Sequence, residues 1–154
     1  MTRTIRTFAI VLTSFFPLVV LAADPAHPVE SSVFRPNNEA ALDSFRWVAR
    51  PIVVFADSPA DPRFQQQLDL LQDGVAMLAD RDVVVLTDTD PAAKSPLRTK
   101  LRPRGFQMVL IDKDGGVKLR KPSPWTVREI TRIIDQTPLR LREVEERREK
   151  RAEP

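Results

Sequence analysis

The chain has 154 residues, with 24 Lys and Arg against 21 Asp and Glu, one histidine and no cysteine. That length fits one domain of ordinary size. The missing cysteines exclude a disulfide framework and every reaction that runs through a protein thiolate, and the near balance of charge argues against nucleic acid, which calls for a clustered basic face.

The N-terminus has two basic residues, Arg3 and Arg6, then an apolar stretch from Phe8 to Leu21 and small residues around Val20-Leu21-Ala22. This pattern predicts a secretory signal peptide over residues 1–22, cut after Ala22. Thr13, Ser14 and Pro17 interrupt the apolar run, which falls short of the roughly 20 residues of a spanning helix. No stable membrane span is therefore expected after cleavage, and the protein is expected to be periplasmic or secreted. Without Arg3 and Arg6 the mature chain carries 22 basic and 21 acidic side chains. Residues 23–40, with Pro25, Pro28 and Pro36, break both periodicities and read as a flexible leader. His27 lies there with no cysteine or second histidine to share a metal ion, and is expected to be exposed.

The folded domain is expected over residues 41–138. Leu42, Phe45 and Trp47 bring apolar mass ahead of Arg50-Pro51, and the continuous run Ile52 to Ala56 predicts a strand buried on both faces. Phe64, Leu68, Leu71, Val75 and Leu78 then fall on one face of a single helix. Either Asp61 caps it with Pro62 first, or Ser58 caps it with Pro59 first. Val83 to Leu86 predicts a second buried strand, parallel to the first by a right-handed crossover. A short helix over Leu97 to Leu101 follows among prolines. Phe106 to Ile111 and Val117 to Arg120 flank Asp112-Lys113-Asp114-Gly115-Gly116, a hairpin signal with the second strand at an edge. Thr126 and Glu129 form a capping box, Trp125 can staple onto Ile130, and a last helix stops before Pro138. Residues 139–154 are nearly all charged and read as a solvated, fraying helix, supported by the pairs Glu143–Arg147 and Glu146–Lys150.

Strand, helix, strand, hairpin and closing helix is the order of a thioredoxin-like domain, an α/β fold with a mixed sheet of four or five strands and helices on both faces. Leu42-Asp43-Ser44-Phe45-Arg46 before Pro51-Ile52-Val53-Val54-Phe55 resembles the lead-in of exported thiol-disulfide oxidoreductases and peroxiredoxins. Phe45-Arg46-Trp47, Arg50-Pro51, Asp61-Pro62-Arg63, Arg81-Asp82-Val83-Val84-Val85, Gly105-Phe106, Lys113 to Arg120, and Pro138 with Arg140 and Glu143 resemble the domain-of-unknown-function family numbered 4174. The resemblance covers about Ala41 to Glu143 and implies a thioredoxin-like fold shared with domains of vertebrate extracellular matrix proteins. It places the two-cysteine motif of a thioredoxin near Ala60-Asp61-Pro62-Arg63, where no thiolate can form, and Gly105-Phe106-Gln107 where thioredoxins open the hairpin strand with proline.

Candidate binding residues are therefore Asp57, Ser58, Asp61 and Arg63 in the first loop and Gly105 with Phe106 in the second, at the strand ends where ligands of open α/β sheets bind. Free helix amides and the Arg63 guanidinium suit an anion or a partner's carboxylate. No histidine base or metal accompanies Ser58, so an enzyme built on Asp57, Ser58, Asp61 and Arg63 is the weaker reading. Asp88 with Asp90 and Asp112 with Asp114 lack the oxygens of a calcium loop and read as turn residues. Trp47 and Trp125 read as core or staple residues. The expected function is a non-catalytic binding or adaptor module for a protein or small anionic ligand of the envelope, with no metal, no cofactor and no nucleic acid; the alternative is a cysteine-free enzyme or an envelope stress factor.

Overall fold

The computed structural model describes residues 33–35 and 42–152. The expected signal peptide, most of the 23–40 leader and His27 lie outside the described residues. Strand β1 (Arg50–Phe55) is buried along its whole length, as its unbroken apolar run requires. It pairs in parallel with β2 (Val83–Asp88), from Arg50 opposite Val83 to Phe55 opposite Asp88. On its other side it runs antiparallel to β3 (Gln107–Ile111), which forms a hairpin with β4 (Val117–Lys121). The order is β2-β1-β3-β4. The hairpin closes as its residues demand: Gly115 takes a φ of 84° and donates its N–H to Asp112 O.

Strand alternation sends Ile52, Val54, Val83, Val85, Met108 and Leu110 to one face. Helices α1 (Pro62–Asp73), α2 (Val75–Ala79) and α4 (Val127–Asp135) supply Phe64, Leu71, Leu78, Ile130 and Ile134 to the same core. Val53, Phe55, Val84, Leu86, Val109 and Ile111 face the other way, under a 3-10 turn at Leu42–Phe45 and helix α3 (Pro96–Leu101). The Thr126–Glu129 capping box forms in both directions and α4 ends ahead of Pro138. Asp61, with Pro62 after it, caps α1. Ser58 instead accepts the N–H of Ala60 in a local turn.

Four expectations change. The single helix expected from Phe64 through Leu78 is broken at Gly74. A Cβ there would lie 2.5 Å from Val127 Cβ, so the break lets α4 pack in close. Part of the leader is docked: Val33 is buried, and Phe34 bridges Val85 at the β2 edge of the sheet. Trp47 is no core residue; it is 66% exposed on a left-handed backbone of φ 63°, while Trp125 packs partly buried against the core as expected.

The fourth change concerns the charged tail. It forms α5 (Pro138–Ala152), and its first turns are part of the packed structure, with Arg140 buried. Glu143 does not serve Arg147 but accepts Arg50 Nη1 and Nη2 at 3.1 and 3.0 Å and pairs with Lys113 Nζ at 2.9 Å. Arg140 reaches Asp80 Oδ2 at 2.7 Å, and Arg147 pairs with Asp80 and Asp82. Partners on β1 and the hairpin turn for Glu143, and on the α2–β2 turn for Arg147, thus override the expected pairing along the helix.

Candidate functional site

The strands divide the molecule into two chemically different ends. At the end where β1 and β2 finish, the chain leaves Phe55 through buried Ala56 into the exposed segment 57–60. Asp61 Oδ1 caps α1 by accepting the N–H of Arg63 at 2.8 Å, and Asp61 Oδ2 takes Arg63 Nη2 at 3.0 Å. The hydrogen bond from the Arg63 side chain, then that from its backbone, hold the Asp61 carboxyl below its ordinary range, and Asp61 raises the Arg63 pKa in return.

The second loop arrives beside the first. Gly105 has φ 58°, and a Cβ on it would come within 3.8 Å of Asp57 Oδ2. Phe106, only 1% exposed, lies with its ring centroid 5.4 Å from Arg63 Cζ. The structure therefore gathers Asp57, Asp61, Arg63, Gly105 and Phe106 at one edge. Phe106 is a floor beneath Arg63 and offers no surface of its own. Ser58 Oγ accepts the Ala60 N–H in its local turn, a bond that provides no base to make it a nucleophile. Clefts of about 230, 280 and 310 Å³ are lined by residues other than these six.

Beneath this edge lies a buried cluster that the sequence reading assigned to turn chemistry. Asp88 accepts Arg98 Nε at 2.8 Å on Oδ1 and the Ser95 hydroxyl on Oδ2. Arg98 also donates to the carbonyls of Ala56 and Asp88 and lies over the Phe55 ring. This cluster ties the ends of β1 and β2 to α3, and so holds the rear of the Asp57 loop. Asp90 does act locally, accepting the N–H groups of Ala92 and Ala93.

At the opposite end Arg50 is 1% exposed, donating to Asp112 Oδ1 at 2.8 Å, to the carbonyl of Arg81 and to Glu143. Asp112 is thus a buried ion-pair partner as well as a turn residue, while Asp114 receives the Gly116 N–H and Lys118. The clue in the sequence was a lone arginine opening an apolar strand, with acids far along the chain. Among the described residues no cluster of three or more His, Cys, Asp and Glu could hold a metal ion, and no helix is long and apolar enough to cross a membrane.

Comparison with solved structures found a chloroplastic thioredoxin z at 23% identity and a TM-score of 0.51, covering 68% of this chain and 91% of that one. It also found a Plasmodium yoelii Prx1a (18%, TM-score 0.48, covering 62% and 77%) and a Plasmodium vivax 2-Cys peroxiredoxin in reduced form (16%, TM-score 0.49, covering 60% and 78%). No match was found among curated proteins. The thioredoxin z likeness shows the fold: a thioredoxin-like domain that lacks cysteine. Residues 41–143 match the family described as Domain of unknown function (DUF4174), so the match extends past Pro138 to the Glu143 that holds Arg50. The chain belongs to the DUF4174 family.

Proposed function

We propose that this protein is a non-catalytic binding or adaptor module, exported to the periplasm or beyond, that docks a protein partner on the edge formed by Asp57, Asp61, Arg63 and Gly105. The observation that carries the reading is the Arg63–Phe106 stack: a guanidinium 53% exposed, fixed over a buried ring between the two loops. A planar, pre-positioned arginine of this kind suits a binding hot spot. A protein partner is favoured over a small anion, because Asp61 already occupies both the guanidinium and an amide at the start of α1. Thiol exchange and peroxide reduction through a protein cysteine have no group to run on.

The test is affinity capture from native envelope extract with tagged protein, its Arg63→Glu variant and an Arg148→Glu control. Specific partners should disappear with Arg63→Glu alone. Partners that survive Arg63→Glu and are lost with Arg148→Glu would move the interaction to α5. Export is checked separately by intact mass: the protein should come from the envelope fraction beginning at Ala23.

A further inference from the structure

Among the described residues, the sheet face away from α1 is covered by the 3-10 turn at Leu42–Phe45 and the six residues of α3. Beside β4, where Val117 stays 42% exposed, a cleft of about 230 Å³ opens. Leu42, Phe45, Pro51, Leu101, Ile111 and Val117 supply its apolar lining. Arg46, Lys100 and Arg120 also line it.

The partners of these three cations decide what the cleft attracts. Arg120 Nη1 donates to the carbonyl of Leu101 at 2.8 Å and to Gln107 Oε1 at 3.3 Å, and Arg46 Nη2 donates to the carbonyl of Asp114 at 3.2 Å. Neutral oxygens orient these guanidinium groups without cancelling their charge. Lys100 pairs with Asp43 at 3.1 Å, across a contact open to solvent on both sides and so weakened by screening. Asp112, the other acid in the lining, is buried, with Oδ1 on Arg50 at 2.8 Å and Oδ2 4.0 Å from Lys118 Nζ. The nearby Asp114 carboxylate is taken by Lys118 and the Gly116 N–H, and still exerts some pull on Arg46. Three cations thus face one exposed carboxylate in the lining, above an apolar floor. Such a site favours a ligand that is itself apolar at one end and anionic at the other.

We propose that this cleft binds a small amphipathic carboxylate, its apolar body on the Phe45–Ile111–Val117 floor and its head group at Lys100, Arg120 and Arg46. The volume lies under the roughly 300 Å³ at which pockets for drug-sized ligands begin, which points to a short ligand. The site is separate from the Arg63 edge and does not depend on the role proposed for that edge.

The test is amide-shift titration of the isotope-labelled protein with sodium octanoate. Octan-1-ol serves as the uncharged probe of equal chain length and inorganic phosphate as the anion without an apolar body. Octanoate should shift the Leu42, Leu101, Ile111 and Val117 amides saturably, and bind at least tenfold more tightly than either control. A Lys100→Gln/Arg120→Gln variant should lose at least tenfold in octanoate affinity while leaving octan-1-ol unchanged. Val117→Trp, which fills the cleft from an exposed position, should abolish binding with the fold intact by circular dichroism; Arg63→Glu should leave it unchanged. Equal binding of octanoate and octan-1-ol would overturn the proposal, as would shifts confined to residues 57–63, indifference to the cleft variants, or no saturable shift.

Discussion

Removing the Glu143 carboxylate separates a structural role for α5 from a merely solvated one. Glu143 is 18% exposed at the side chain and receives Arg50, itself 1% exposed, through two guanidinium nitrogens, with Lys113 at 2.9 Å. After Glu143→Ala, Arg50 keeps Asp112 and the Arg81 carbonyl but loses one of its two acids. The cost should fall between the ~0–1 kcal/mol of an exposed pair and the ~3–5 kcal/mol of breaking a buried one, at about 2–4 kcal/mol. At roughly 4 °C per kcal/mol for a domain of this size, the melting midpoint should drop by about 8–16 °C. Urea and thermal unfolding followed by circular dichroism measure both. Arg148→Ala, at a side chain 73% exposed with one partner at 3.5 Å, is the control and should change stability by less than about 0.5 kcal/mol. A Glu143→Ala loss below about 1 kcal/mol, or one equal to that of Arg148→Ala, would refute the reasoning.

Acid should reveal the same contact: burial raises the Glu143 pKa, but hydrogen bonds from Arg50 and Lys113 outweigh it and leave it below the ordinary 4.5. A carboxyl depressed in the folded state stabilises fully above its unfolded value and loses that contribution as pH falls through the folded one. Stability should therefore decline below about pH 4.5, and Glu143→Gln should make that decline shallower in unfolding measured from pH 7 to pH 3. Asp88→Ala, which leaves the Arg98 guanidinium without its acid, should cost about 3–5 kcal/mol by urea unfolding. Gly74→Ala forces a Cβ against Val127 and should cost about 1–3 kcal/mol by thermal melting. Gln67→Ala removes the amide that both donates to Trp125 O and accepts from Trp125 N, each at 2.9 Å, and should cost about 1–3 kcal/mol in the same assay.

The regular elements were legible because they rest on local signals. The apolar run at Ile52, the Asp-Gly-Gly turn and the Thr126–Glu129 box each fix a short stretch of backbone without help from distant chain. What could not be read are contacts between residues far apart in sequence. Arg50 and Glu143 are separated by 93 positions, Gln67 and Trp125 by 58, and nothing local tells a polar side chain awaiting a buried partner from one left in water. Gly74 illustrates the same limit: a glycine in a helical stripe marks either tolerance or a close approach, and only Val127 decides between them. At the edge, the sequence placed Asp57, Asp61, Arg63 and Gly105 together through fold topology. Topology carries no rotamer, so the capture of Arg63 by Asp61 and the burial of Phe106 stayed hidden.

The two ends of the sheet use their charged side chains differently. At the Arg50 end, long side chains from β1, the Asp112 turn, the α2–β2 turn and α5 pair with one another and close this end of the core. At the Asp57 end the pairing is layered: Asp88 and Arg98 settle the buried charge behind the loop, and Asp57, Asp61 and Arg63 remain in front. A buried ion pair is a costly way to support a loop unless the loop's position matters, since an apolar filling of similar volume is often as stable. Arg50 and Arg98 in effect hold strand ends, Arg50 the start of β1 and Arg98 its finish. The finish opens onto the exposed, pre-oriented Arg63 guanidinium, and a binding function of that edge would need its loop held in position.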